Sequence, residues 1–210
     1  MHLLLPFILV FALVFGPGWW VRNVMSRYSS PEDRYDGTGG ELARYLLDSH
    51  DLQHVKVEET QEGDHYDPQE KVIRLTPEKL NGRSLTAVTV AAHEVGHALQ
   101  DATGFVPLRV RSQLVMLTRP IEKLGAAILM AAPLIGMVTR SPLVGLLMIL
   151  GGLMSLGATT LVHLVTLPTE IDASFKRALP MLEKDDVLMP VDLPHARRLL
   201  KAAALTYLSA

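Results

Sequence analysis

Apolar residues in this chain gather into three long blocks, and the polar stretches between them carry shorter periods. Residues 3–21 form a charge-free run ending in Gly16-Pro17-Gly18-Trp19-Trp20, followed by Arg22 and Arg27. The run is long enough to span a bilayer, and its tryptophans suit the interface. Without a basic leader or an Ala-x-Ala site, it reads as an uncleaved anchor rather than a signal peptide. Residues 124–139 are a second block, short and containing Pro133, and residues 141–169 a third, interrupted only by His163. With Arg140-Ser141-Pro142 as a tight turn, the pair predicts a transmembrane hairpin, a buried soluble helix pair being the alternative.

Between the blocks the pattern is that of a soluble domain. Residues 36–50 place Leu42, Tyr45 and Leu46 at helical spacing, with Thr38 as N-cap. Residues 54–60 and 71–76 alternate apolar and polar positions, as half-buried strands do, and residues 63–68 between them end in a turn. Asn81-Gly82 closes the strand region, and a helix follows over about residues 84–102, with Gly104 past its end and Pro107 beyond. After the third block, Pro180, Pro190 and Pro194 break the polar stretch into short helices. The expected organisation is an anchor (1–21), a soluble domain (22–119), a hairpin (120–169), a helical segment (170–201) and the start of a fourth span (202–210).

Composition narrows the chemistry. A net charge of -2 gives no support to nucleic-acid binding. The absence of cysteine excludes disulfides and thiolate metal sites, leaving imidazole and carboxylate as the ligands for zinc.

That matters because residues 93–97 read His-Glu-Val-Gly-His. On a helix, His93 and His97 share a face one turn apart and can bind one zinc ion, with Glu94 beside them as the base of a metallopeptidase. At this chain's content of His and Glu, the pattern would arise by chance in roughly one or two such chains in a hundred. Val88, Ala91, Ala92, Val95 and Leu99 flank the trio, so the helix reads as buried rather than as a solvated surface. The fold expected is mostly α, an α+β zincin-like domain with a small sheet and this helix, fused to transmembrane helices.

Topology points to a third ligand. Arg22, Arg27, Arg119, Lys123, Lys176 and Arg177 flank the spans on the soluble domain's side, against Arg140 alone at the hairpin turn, which puts the domain in the cytoplasm. The hairpin crosses twice, so residues after Thr169 return to the side of His93 and His97. Catalytic zinc normally takes three protein ligands. Glu170, at the exit from the third block, would complete a His-His-Glu site of the thermolysin kind, and Ser174, one turn on, would support it from the same face. Asp172 competes with Glu170, but from another face of the same helix, and would otherwise stand behind the ligands. Asp101, one turn beyond His97, could orient that ligand. His65 and Tyr66 offer donors for a tetrahedral oxyanion, or form only an exposed turn.

The stretches GTGGELARYLLDSH (37–50), DHYDP (64–68), VAAHEVGHALQ (90–100), LVTLPTEIDAS (164–174) and AAALTY (202–207) together resemble the YugP-like family of bacterial membrane-bound neutral zinc metallopeptidases. The resemblance implies a multi-pass inner-membrane protein with Zn2+ on His93 and His97 and Glu94 as the catalytic residue. Its expected partners are a peptide or protein substrate and the lipid bilayer. An endopeptidase is the expected activity. The alternative is a non-proteolytic membrane scaffold that keeps the zinc, against which stands Glu94, a residue a scaffold does not need.

Overall fold

The computed structural model describes residues 4–184 and 187–206. Residues 1–3 of the expected anchor, 207–210 of the expected terminal span and the side chain of His163 lie outside the description. The chain divides into two compact units, one formed by Met1–Leu108 with Leu167–Ala210, the other by Arg109–Thr166.

In the first unit, α1 (Leu4–Arg27) leads into α2 (Gly39–Ser49). Thr38 caps α2 in a full capping box: its Oγ1 accepts from the Glu41 amide at 3.1 Å, and the Glu41 carboxylate accepts from the Thr38 amide at 2.8 Å. The helix buries Ala43, Leu46 and Leu47 and leaves Tyr45 exposed, so its inner face is turned by one residue from the expected 42/45/46 stripe.

The sheet has three strands, β1 (Lys56–Glu59), β2 (His65–Asp67) and β3 (Val72–Leu75), in the order β1-β3-β2. β1 runs parallel to β3 and β2 antiparallel to it, with Val57 and Tyr66 both in register with Ile73, which is fully buried. Residues 65–67, inside the stretch expected to end in a turn, supply the third strand, and the turn follows from Pro68.

A single helical turn, α3 (Pro77–Leu80), precedes α4 (Leu85–Ala102), capped by Ser84, whose Oγ accepts from the Ala87 amide. All but three of the 18 residues of α4 are buried. It packs against α2, α3, β2 and β3, and its entrance is tied to α1, since Thr86 donates to Met25 O through Oγ1 at 2.9 Å and to Tyr28 O through its amide at 3.1 Å. Gly104, at φ +67°, ends α4 with amide bonds from Gly104 to Asp101 O and from Phe105 to Gln100 O.

α5 (Val106–Thr139) then starts at once, with Pro107 in its first turn rather than in a linker. α6 (Pro142–Ile171) passes without a break into a π-helical segment (Asp172–Ala178) and α7 (Leu179–Lys184); a short 3-10 turn (Pro190–Asp192) and α8 (Leu193–Ala204) come later in the chain. The π-helical segment and α8 both pack on α4, and Leu182, Ala196, Leu199 and Leu200 extend its core.

In the second unit, α5 and α6 form a hairpin that turns at Arg140, at φ +51°. Small residues let them meet: a Cβ on Gly152 would stand 2.2 Å from Cγ of Leu129, and one on Gly125 2.2 Å from Oγ of Ser155. Large apolar side chains, among them Leu124, Met130, Leu134, Met137, Leu146 and Leu150, point outward. Small inside and apolar outside is the arrangement that suits lipid. Among the described residues, α5 is the one helix long and apolar enough to cross a membrane. Its 34 residues make it about 50 Å long, against about 30 Å of hydrocarbon.

Candidate metal centre

α4 carries His93 and His97 four residues apart, their rings 4.8 Å between centroids and nearly edge to face. The end of α6 brings Glu170 against both. Its Oε2 lies 3.3 Å from Nε2 of His93 and 3.2 Å from Nε2 of His97, and all three residues are buried. They form a group whose ligand atoms lie within 4.8 Å of one another. Glu94, next to the first histidine, is buried as well.

The surrounding hydrogen bonds decide where the protons sit. Ser174 Oγ is 3.1 Å from Leu200 O and 3.0 Å from His93 Nδ1. A carbonyl only accepts, so the hydroxyl proton goes to Leu200 and the serine accepts from Nδ1–H of His93. Gln100 makes the same assignment for the second ring. Its Nε2 donates to Thr169 O at 2.8 Å and to Asp172 Oδ2 at 2.9 Å, which leaves Oε1 to accept from His97 Nδ1 at 2.9 Å. With both protons on Nδ1, each ring presents the Nε2 lone pair toward the carboxylate.

Two imidazole lone pairs and a carboxylate oxygen thus converge in a buried space. Three such atoms repel one another, and a cation resolves the repulsion. The nitrogen-to-oxygen spacings of 3.2 and 3.3 Å match the edge of a tetrahedron with zinc bonds of about 2.0–2.1 Å, near 3.3 Å. The residues present fit a zinc ion.

Other candidates from the sequence fall elsewhere. Asp172 is not beside the histidines. Its carboxylate accepts from Gln100 and, at 2.9 Å, from Arg177 Nε, and lies 3.9 Å from Lys176 Nζ. Burial works to raise its pKa, but the bonds from Arg177 and Gln100 prevail and hold it below the ordinary carboxylate value. Asp101 does not orient His97; it receives the Tyr66 hydroxyl at 2.7 Å and the Lys71 ammonium, joining α4 to the sheet. Tyr66 is buried, and burial first, then its bond to Asp101, raises its pKa well above that of a free phenol. Its one proton goes to Asp101 in this structure. His65 Nδ1 is 2.8 Å from Gly63 O, which makes Nδ1 the donor and leaves Nε2 an acceptor when the ring is neutral. Both residues thus have partners of their own in the structure, Asp101 for Tyr66 and Gly63 O for His65.

Gln100 is the residue that the sequence reading missed. It stands three positions after His97, whereas Asp101 stands four, and both spacings fall on the same helix face.

Residues 3–210 match the family described as "Putative neutral zinc metallopeptidase". The chain belongs to this family. It is also 32% identical to the "Putative membrane protease YugP" of Bacillus subtilis (strain 168), over 97% of this chain and 89% of that protein. No solved structure matches. Among the described residues of this family member, His93, His97 and Glu170 are a group that could hold the metal ion.

Proposed function

We propose that this family member is a membrane-bound zinc endopeptidase of the gluzincin type, with His93, His97 and Glu170 as ligands and Glu94 as general base. The observation that carries the reading is the convergence of three buried ligand atoms beside a buried glutamate on the same helix. When bound, zinc supplies Lewis acidity, which acidifies water toward a pKa of about 7 and polarises a peptide carbonyl. Glu94 takes a proton from the attacking water and passes it to the leaving amine, so that hydroxyl adds to the carbonyl carbon as the C–N bond breaks. Ser174 and Gln100 keep the two imidazoles in the ligating tautomer throughout.

The proposed partners are a peptide or protein substrate and the lipid bilayer. The lipid-facing side chains of the α5–α6 hairpin and the membrane assignment in the name of the Bacillus relative support a membrane location. The basic residues beside the apolar blocks support a multi-pass arrangement with the metal centre on the cytoplasmic side.

The test uses the full chain in detergent, unfolded casein-like peptides and a chelator. The reading expects bound zinc, hydrolysis, loss of hydrolysis on chelation and recovery on adding zinc. Stoichiometric zinc with no hydrolysis of any peptide would overturn it in favour of a scaffold.

A further inference from the structure

We propose that Gln100 is a positioning residue that holds His97 in its metal-ligating tautomer through a relay running Arg177, Asp172, Gln100, His97; this rests on the metal-centre reading above. Gln100 has no exposed surface, and its carboxamide is engaged at both ends. Oε1 accepts from His97 Nδ1 at 2.9 Å, while Nε2 grips both flanks of the third ligand, Thr169 O just before Glu170 and Asp172 Oδ2 just after it.

The two ends of an amide are chemically different, and here the neighbours distinguish them. Turned over, the carboxamide would set its oxygen against a carbonyl and a carboxylate and its NH2 against Nδ1 of His97. That orientation selects the tautomer with the proton on Nε2, where the metal has to bind. Asp172 thus fixes the amide, and Arg177 fixes Asp172 at 2.9 Å while its guanidinium stands 5.6 Å over the Phe105 ring. His93 is served differently, by a hydroxyl whose own proton goes to Leu200 O. The two ligands therefore depend on separate supports, and a change at Gln100 reaches only one of them.

The test compares zinc dissociation constants, by competition with a chromophoric chelator, and melting temperatures of metal-free protein, for the full chain and its variants. Gln100→Met keeps the side-chain length and removes both polar ends. Its dissociation constant should rise by about 10- to 100-fold. Gln100→Glu restores an acceptor for His97 but opposes Thr169 O and Asp172. It should bind zinc more tightly than Gln100→Met while melting below the parent. A merely structural glutamine would lower both melts and leave the zinc constant of the folded protein unchanged. If Gln100→Met does not fold, Gln100→Asn, an amide one methylene short of His97, carries the same test. Parent-like zinc affinity in Gln100→Met or Gln100→Asn overturns the relay. A parent chain that takes up no zinc refutes the metal centre itself, and the relay with it.

Discussion

Gly96 lies so close to Ala173 that a Cβ built on it would stand 2.6 Å from the Ala173 carbonyl oxygen. The residue ahead of His97 must be bare for α4 and the π-helical segment to approach this far, and that approach sets how Glu170 meets the two histidines. Gly96→Ala should force them apart, lowering stability by about 1–3 kcal/mol and reducing zinc content. Gly151→Ala, with nothing within 4 Å, should leave both unchanged or gain slightly. Melting curves and metal analysis of the two variants decide it, and a parent-like Gly96→Ala would contradict the close packing.

Glu170 and Asp172 should separate cleanly. Glu170→Ala removes a ligand and should abolish stoichiometric zinc in a folded protein. Asp172→Ala removes no ligand, but it deprives Gln100 of an acceptor and Arg177 of its carboxylate, at about 1.5–3 kcal/mol of stability. Zinc content and urea titration of both variants check this; zinc lost from Asp172→Ala and kept by Glu170→Ala would exchange their roles.

Tyr66→Phe separates structure from catalysis. If the phenol only donates to Asp101, the change costs about 1 kcal/mol and barely moves kcat. Loss of an oxyanion donor would instead lower kcat by about 100- to 1,000-fold. Steady-state peptide hydrolysis reads the difference.

Asp192, buried at the entrance to α8, accepts from Arg34 Nε and Nη2 at 2.6 Å each and from the Tyr35 hydroxyl at 2.5 Å. Burial pushes its pKa up, but the bonds from Arg34 and Tyr35 outweigh it and hold the carboxyl below its ordinary value. Burial, reinforced by Asp192, raises the Tyr35 phenol. A lowered carboxyl stabilises fully above the unfolded value of about 4 and loses that contribution as pH falls through its native pKa. A raised phenol stabilises fully below about pH 10 and loses that contribution above it. The cluster therefore contributes most between these limits. Arg34→Ala should cost about 2–3 kcal/mol at pH 7, and Asp192→Asn should flatten the acid side of the stability profile. Urea titrations at pH 3 and pH 7 measure both.

The helices of the first unit were legible where local chemistry agreed with the pattern. Thr38 marked the start of α2, and the five residues from His93 to His97 marked the ligand face of α4. β2 was not, because three residues with one buried side chain, Tyr66, are too short to alternate visibly. α5 began 18 residues before its apolar block because Arg109, Arg111 and Pro120 hide a helix from a hydropathy reading without preventing it.

The deepest gap was the π-helical segment. Glu170, Asp172 and Ser174, two residues apart, all bond to side chains of α4. A regular α-helix turns about 200° between alternate residues, so Asp172 belonged on another face. The chain passes into the π-helical segment at Asp172, and Asp172 reaches α4 through the long carboxamide of Gln100 rather than through the histidines.

The central claim is that Glu94 acts as the base beside a zinc centre built from two helices. Glu94→Gln keeps the size of the side chain and removes the base. Zinc content and peptide hydrolysis of this variant, measured beside the parent in the same detergent, test the claim most directly. The account predicts one zinc per chain in both proteins and hydrolysis by the parent alone. A Glu94→Gln variant that holds zinc and cleaves as fast as the parent would contradict it.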